Sequence, residues 1–253
     1  MASPCEGAAA QRRALNARVG SRVVRSPRAV AVGRVFAWYE EGMRLFKRAP
    51  VPWCALGFIT LAAELALPIV PGIGIAASKV IVPVIECGML LGAAALDRGN
   101  PLEIRYAFSA FGASASALGA IVVSALLVFG AEALTGYALA GVNLLAPEAD
   151  ETELASSTLG AMFTISTLVS LPVLFVPFVV LLDHASFGQA FAISARGFAL
   201  NALPLLLFGA LALLLIVVGL LLLYVGLIAV LPLLSAASYA AWKDVYAVGS
   251  PPD

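Results

Sequence analysis

The 253-residue sequence is 62% hydrophobic and 12% charged, and its mean hydropathy is +1.00. Soluble domains carry about 25% charged residues, so this composition excludes a soluble globular protein and predicts an all-α polytopic membrane protein. The formal net charge is zero, but 10 of the 15 lysine and arginine residues precede Pro50, so the basic residues are concentrated near the amino terminus.

The first 35 residues are rich in arginine, alanine and serine and contain one acidic residue, Glu6. They lack the apolar run of about 7–15 residues that a secretory signal requires. This composition predicts a disordered basic cytoplasmic arm over residues 1–35. An organellar transit peptide has a similar composition and is the alternative.

Residues 36–49 predict a short helix that lies in the membrane interface, because apolar and charged residues fall on opposite helical faces. The apolar face carries Phe36, Tyr39, Met43 and Phe46. The polar face includes Arg44, Lys47 and Arg48, which predict contact with anionic lipids.

Six segments are long and apolar enough to cross a hydrocarbon core of about 30 Å. They are residues 51–68, 74–96, 115–141, 157–182, 202–220 and 224–242. The last two come from Gly197 to Trp242, a run of 46 residues without a charged side chain. One helix of that length would measure about 69 Å, so the run must turn back near Gly219 to Gly226.

The loops between these spans predict the orientation of the chain. In the six-span arrangement 14 of the 15 basic residues lie on the side of the amino terminus, and Lys79 is the exception. Cytoplasmic loops carry the excess of lysine and arginine, so both termini are predicted to be cytoplasmic. The folded domain is then residues 36–247, followed by a tail at 248–253.

Two further amphipathic segments, residues 101–112 and 186–199, precede the third and fifth spans. Asn100 to Glu103 and Ser186 to Gln189 each match a capping box, 86 residues apart. The sequence therefore predicts three repeated units, each an interfacial helix followed by a transmembrane hairpin. Chance similarity among apolar segments is the alternative.

Three motifs resemble a widespread family of uncharacterised bacterial six-span integral membrane proteins. They are Glu41-Gly42 with Leu45-Phe46, Arg48, Pro50 and Trp53; Leu96-Asp97-Arg98-Gly99 with Pro101; and the segment Tyr239 to Tyr246. The resemblance covers about residues 35–247. It implies a bacterial cytoplasmic (inner) membrane location and brings no substrate, cofactor or catalytic residue.

Four charged residues fall inside predicted spans, where a charge at the bilayer centre costs at least about 2.5–3.5 kcal/mol. Glu64 and Lys79 lie at similar depth on either side of a turn and predict an ion pair, for which Glu132 could compete. Glu86 lies nearer the middle of the membrane, in a helix that Pro83 should kink. Glu86 is either a neutral group bonded to a serine or a backbone carbonyl, or a proton or cation site.

Charged pairs stand at the cytoplasmic ends of three spans: Asp97-Arg98, Asp183-His184 and Lys243-Asp244. Aspartate at a helix carboxyl end is disfavoured by the dipole, so the expected compensation is bonding to the next interfacial helix or to Arg48, Arg105 or Arg196. His184 beside Asp183 predicts a structural pair, with pH sensing as the alternative.

Gly88 and Gly92 form a GxxxG pattern, which allows two helices to approach closely. Packing within the chain is the first interpretation, and a homo-oligomer through this face is the alternative. Pro172 and Pro177 predict a bend in the fourth span, either to fit packing or to open a cavity.

The sequence lacks the parts of familiar catalytic sites. One histidine and three scattered cysteines predict no metal site, and no hydrolase or nucleotide-binding motif occurs, so no catalytic residue, cofactor or nucleic-acid partner is expected. The leading hypothesis is a non-enzymatic membrane scaffold or accessory protein acting through lipid or protein contacts. The alternative is a small channel or transporter that uses Glu86. Any polar pathway is then expected to be lined by the amino-terminal half, with the uncharged carboxyl-terminal hairpin as wall, lipid contact or packing surface. An intramembrane carboxylate enzyme is a third hypothesis.

Overall fold

A computed structural model describes residues 26–145 and 154–248, and these residues form an all-helical bundle without a strand. Its α-helices in chain order are α1 Arg34–Arg48, α2 Pro50–Ala66, α3 Gly74–Asp97, α4 Ala115–Ala140, α5 Ser156–Val173, α6 Val176–Leu181, α7 Phe187–Leu200, α8 Ala202–Leu221 and α9 Leu227–Val245. Two 3-10 segments, Leu67–Ile69 and Ile104–Gly112, join α2 to α3 and α3 to α4.

Five helical segments in this described part are long and apolar enough to cross a membrane, which makes the chain a multi-pass membrane protein. They are Pro50–Ile69, Gly74–Asp97, Ala115–Ala140, Ser156–Leu181 and Ala202–Leu221. Each agrees with a predicted span to within one residue at either end. The predicted sixth span differs, because α9 begins at Leu227 and its last turn carries Lys243 and Asp244.

The two ends of the bundle differ in charge. The end at which α3, α6 and α9 finish carries Asp97, Lys243 and Asp244. We call it the basic end, because most lysine and arginine residues were predicted to lie on this side. The opposite, distal end carries the turn from α8 to α9, where Gly219 and Gly226 bring the two helices together. The turn therefore lies where the uncharged run was expected to reverse.

Helix α1 packs on protein with one face, although residues 36–49 were predicted as an interfacial helix. Its buried residues are Val35, Trp38, Gly42 and Leu45. A Cβ atom at Gly42 would lie 2.8 Å from the backbone nitrogen of Ala237, so α1 crosses α9 at close range. Phe36 of the predicted apolar face stays exposed, so α1 has an inner protein-facing side and an outer apolar edge.

The strap, defined as residues 26–33, belongs to the folded unit, which corrects the predicted disordered arm 1–35 over its last part. Residues 1–25 lie outside the described residues. Within the strap, the Val30 N–H donates to Asn201 Oδ1 at 2.8 Å, and the Arg28 N–H donates to the Val245 carbonyl at 2.8 Å. The strap therefore fastens the start of α1 to the ends of α7 and α9.

Asp244 is the centre of this attachment. Its carboxylate accepts from Arg28 Nη2 at 2.8 Å, from Arg34 Nε at 2.7 Å and from the buried Trp38 Nε1 at 2.9 Å. Burial raises the pKa of the Asp244 carboxyl, but hydrogen bonds from Arg34, Trp38 and Arg28 outweigh it, so its pKa lies below the ordinary value. The predicted partners Arg48, Arg105 and Arg196 were wrong for this aspartate, because Arg28 of the strap and Arg34 of α1 supply the cations.

The predicted capping box at Asn100 to Glu103 is wrong. Gly99, at φ +85°, ends α3, and the N–H groups of Gly99 and Asn100 donate to the carbonyls of Leu96 and Ala95. This is a Schellman motif, in which glycine supplies the left-handed conformation. The segment that follows is the 3-10 helix Ile104–Gly112 instead of an α-helix over 101–112.

The capping box at Ser186 to Gln189 is confirmed, and it opens α7. The segments ahead of the three hairpins thus differ in kind, being two α-helices and one 3-10 helix. The threefold repeat of one unit stays a prediction, and its second copy departs most from the others.

Replacing Gly57 by alanine is expected to destabilise the bundle by about 1–3 kcal/mol, because the pocket for a side chain is already filled. A Cβ atom there would lie 2.2 Å from the Ile228 carbonyl oxygen, where α2 meets α9. Gly130→Ala is the matched control, since nothing lies within 4 Å of that position and alanine favours a helix. Thermal unfolding in detergent should show a lower midpoint for Gly57→Ala and an equal or higher one for Gly130→Ala; equal midpoints for both would contradict the close packing.

Candidate functional site

Two cavities adjoin inside the bundle. The outer cavity, of about 440 Å³, is lined by α2, α3, α4, α5 and α9 and receives all four charges predicted within the spans: Glu64, Lys79, Glu86 and Glu132. The inner cavity, of about 310 Å³, lies toward the basic end between α3, α4, α9 and the α5–α6 region. The cavities share the lining residues Pro83, Glu86, Ala125, Val128, Ser170 and Leu231, so they meet at the level of Glu86.

The predicted ion pair in the first hairpin is confirmed. Lys79 Nζ donates to Glu64 Oε1 at 2.8 Å, and the same ammonium lies 5.3 Å from the centre of the Phe129 ring. Glu132 lines the same cavity from α4, but the described residues show no ion pair between it and Lys79. The ammonium of Lys79 is therefore held by Glu64 and by the face of the Phe129 ring. The Glu132 carboxyl group lines the outer cavity without pairing to Lys79.

Glu86 faces the space where the two cavities meet. Its neighbours Ile85 and Cys87 are each 4% exposed, whereas the Glu86 side chain is accessible from the cavities. Among the described residues no hydrogen bond holds Glu86, so the predicted bond to a serine or carbonyl is not formed. The carboxyl group of Glu86 can therefore form hydrogen bonds to a molecule or ion in the cavity.

Serines from three helices line the inner cavity, and the sequence reading did not single them out. They are Ser124 of α4, Ser170 of α5, and Ser235 and Ser238 of α9. The expectation that a polar path is lined by the amino-terminal half alone is therefore wrong, because α9 contributes Ser235 and Ser238. The spacing of Ser235 and Ser238, which puts both on one helical face, was the available signal.

The fourth span is broken where prolines were predicted to bend it. Helix α5 ends at Val173 and α6 begins at Val176, and the buried Ser194 of α7 bridges the gap. Ser194 Oγ accepts from the Phe175 N–H at 3.1 Å and donates to the Pro172 carbonyl at 2.7 Å. The break lines the inner cavity, as irregular backbone at membrane depth does in transporters.

Three aromatic rings lie between the inner cavity and the basic end and are called the seal: Phe178 lines the inner cavity, and Tyr239 and Trp242 line a cavity at the basic end. The rings of Phe178 and Trp242 are stacked with centres 5.9 Å apart, and those of Tyr239 and Trp242 are 5.8 Å apart. Trp242 is 4% exposed, and its Nε1 donor has no partner among the described residues. The three rings therefore form one contiguous aromatic cluster.

Ionic contacts reinforce the seal from the basic end. Asp97 Oδ2 accepts from Lys243 Nζ at 2.6 Å and from the Tyr239 hydroxyl at 3.1 Å. The predicted pair Asp97-Arg98 is therefore wrong, because Arg98 Nε donates to the Ala94 carbonyl at 2.8 Å. Lys243-Asp244 is also split, since Lys243 binds Asp97 and Asp244 binds the strap.

Beyond the seal lies a cavity of about 280 Å³ at the basic end, lined by Asp97, Arg98, Asp183, Tyr239, Trp242 and Lys243 among others. Asp183 thus joins the cluster around Asp97. His184 adopts a left-handed backbone conformation at φ 53°, which places it in the tight turn after α6. The seal consequently lies between two spaces, the inner cavity with Glu86 and the cavity at the basic end with Asp97 and Asp183.

The GxxxG face is covered by the same chain, as the first interpretation held. A Cβ atom at Gly88 would lie 2.1 Å from the Tyr106 carbonyl oxygen, and one at Gly92 would lie 2.6 Å from Leu102 Cδ1. The segment around residues 102–107 therefore occupies the face that a second copy would need.

Comparisons with family models, with curated proteins and with solved structures find no match. The resemblance of the three motifs to a family of bacterial membrane proteins stays a prediction. Among the described residues no group of three or more histidine, cysteine, aspartate or glutamate side chains could hold a metal ion. The site is therefore described by its own geometry: a carboxylate-lined space inside the bundle, closed at one end.

Proposed function

We propose that the protein is a small membrane transporter that carries a cation through the two adjoining cavities. The observation that carries this proposal is the place of Glu86, unbonded and accessible where the outer and inner cavities meet. A carboxylate at membrane depth is costly and is retained where it contacts a solute or a proton. A dry, filled centre would have favoured the scaffold hypothesis.

The charge of the site supports a cationic solute. Three carboxylates, Glu64, Glu86 and Glu132, line the outer cavity beside one ammonium group, that of Lys79. With Glu64 paired to Lys79, two carboxylates remain uncompensated when ionised. Such a cavity attracts cations and repels anions.

The broken fourth span and the seal support a cycle of alternating access. In the proposed cycle, solute enters through the outer cavity and the seal opens to release it at the basic end. Phe178 lines the inner cavity, and Tyr239 and Trp242 line the cavity at the basic end, so a movement of these rings would join the two spaces.

The proposed topology has six spans, with α9 from Leu227 to Trp242 as the sixth. Asp244 then lies just beyond the span, and the basic end faces the cytoplasm. We place the protein in a bacterial cytoplasmic membrane, by the resemblance of its motifs. Solute uptake toward the cytoplasm or export from it would both use the same path.

A scaffold or accessory role is the second candidate, supported by the outer edge of α1. Exposed Phe36 and Met43 stand beside exposed Lys47 and Arg48. This edge is suited to the interface of a membrane with anionic lipids, which Arg44 would also contact. Loss of transport with intact lipid binding would separate the two roles.

Glu86→Gln is expected to abolish cation flux into proteoliposomes. The replacement removes the negative charge where the two cavities meet and keeps the shape of the side chain. The assay measures the flux of protons, of monovalent inorganic cations and of small organic ammonium ions under an imposed potential. Glu40→Gln is the matched control, since Glu40 is an exposed carboxylate of α1 at the basic end. Flux in the unaltered protein that Glu86→Gln leaves unchanged, or no flux at all, would contradict the proposal.

A further inference from the structure

We propose that the inner cavity binds a protonated amine with an apolar body, such as an arylalkyl ammonium ion. This inference rests on the proposed transport function and names its substrate class. It follows from the volume of the inner cavity, from its walls and from the direction in which its polar groups can hydrogen-bond.

The walls of the inner cavity are mostly apolar. Side chains such as Met89, Leu90, Ile121, Val128 and Phe178 line it, and Glu86 is its one carboxylate. Its volume of about 310 Å³ is at the lower end of the range for small-molecule sites. A bare inorganic cation would lose its hydration shell there and gain too few oxygen ligands. An organic cation can bury its apolar part against these walls.

Two of the four serines in the inner cavity, Ser124 and Ser170, can only accept from a ligand, whereas Ser235 and Ser238 on α9 can either donate or accept. Ser124 Oγ donates its proton to the Ile121 carbonyl at 2.7 Å, and Ser170 Oγ donates to the Thr167 carbonyl at 2.8 Å. Each hydroxyl has thereby used its only proton, so its lone pairs can only accept from a ligand. With the carboxylate of Glu86, these oxygens favour a ligand that brings N–H donors. A protonated amine meets this requirement, whereas a quaternary ammonium ion has a charge but no N–H.

The charge count agrees with a single ammonium group. Glu86 is the one acidic side chain of the inner cavity, and no cation lines it among the described residues. One positive charge on the ligand therefore balances the site. Phe178 adds an aromatic ring to the same wall, which favours a cation or an aryl group.

The test measures binding to the full chain in detergent micelles with four probes of graded chemistry: benzylamine, benzyl alcohol, benzyltrimethylammonium and methylamine. Titration calorimetry at neutral pH is expected to show that benzylamine binds at least about tenfold more tightly than each of the other three, as a charge-assisted hydrogen bond would give. Benzyl alcohol controls for partition into the micelle. Equal affinity for benzylamine and benzyl alcohol would overturn the inference.

Variants locate the binding. Glu86→Gln should remove the preference for benzylamine over benzyl alcohol, whereas Glu40→Gln on the surface should keep it. Equal elution in size exclusion shows that each variant is folded. A preference kept in Glu86→Gln would overturn the inference.

The outcomes separate this inference from the proposed function. Flux of inorganic cations without selective binding of benzylamine would overturn the substrate class and leave transport standing. Selective binding of benzylamine without flux of any cation, benzylamine included, would overturn transport and leave the ligand class standing.

Discussion

Proteoliposomes that hold Trp242→Ala are expected to leak protons and small cations at a rate on the order of tenfold above that of the unaltered protein. Trp242 stacks between Phe178 and Tyr239 and is the largest side chain of the seal. Removing it leaves a void between the inner cavity and the cavity at the basic end. Water can then connect the two spaces, and the leak reports that connection.

Two controls separate the leak from general damage. Phe58→Ala removes an aromatic ring from α2 that is 59% exposed, so its leak should equal that of the unaltered protein. Trp242→Phe keeps a ring in contact with Phe178, so it should stay closed. A tight Trp242→Ala protein of normal fold would show that the barrier lies elsewhere.

Asp244→Ala is expected to lower the free energy of unfolding by about 2–4 kcal/mol. Loss of the carboxylate strands the Trp38 indole N–H, which is 1% exposed, at a cost of about 1–3 kcal/mol. The pairs with Arg28 and Arg34 add at most about 1 kcal/mol each, because both arginines are half exposed. Thermal unfolding in detergent measures the effect, at roughly 2–4 °C per kcal/mol for a chain of this size.

Replacing single residues around Asp244 shows which contacts account for the loss of stability. Arg28→Ala should cost less than Asp244→Ala, because it leaves the carboxylate bound to Arg34 and Trp38. Glu40→Gln should have no effect, as Glu40 is exposed. An Asp244→Ala protein as stable as the unaltered one would show that the strap does not hold α1 against α9.

The pH dependence of this stabilisation follows from the lowered pKa of Asp244. The unfolded chain protonates this carboxyl near its ordinary pKa of about 3.9, and the folded protein does so at a lower pH. The stabilisation is therefore fully present above that ordinary value and is lost as the pH falls through the folded pKa. The difference in stability between the unaltered protein and Asp244→Ala should be constant from pH 8 to pH 5 and shrink below about pH 4.

The prediction of Glu64 and Lys79 as a pair succeeded because it depended on local geometry. Both residues lie on one hairpin at similar distances from its turn, so their separation is fixed by helix geometry alone. Asp97 and Asp244 illustrate the opposite case. Their partners, Lys243 and the strap, are 146 and more than 200 positions away in sequence, and no local spacing reports such contacts.

The predicted capping box after α3 was wrong for a related reason. Asn100 to Glu103 has the residue types of a capping box, but Gly99 ends α3 in a left-handed conformation. The Asn100 N–H then donates to a carbonyl at the end of α3 and is not available to start a new helix. The same residue types form a true capping box at Ser186 because no helix end competes for that serine. A capping pattern predicts a helix start only where its backbone groups are free.

Composition and the spacing of uncharged runs by themselves determined that the chain is helical and multi-pass, and they set the limits of five spanning segments. The physical reason is that each span must be apolar over a fixed length, and this constraint acts on residues that are consecutive in the sequence. Only the tertiary structure decided that α9 carries serines into the cavity, that Glu86 joins two spaces and that aromatic rings close one end. These features depend on which faces of distant helices meet, and that choice is made by packing and by buried ionic contacts rather than by any one segment.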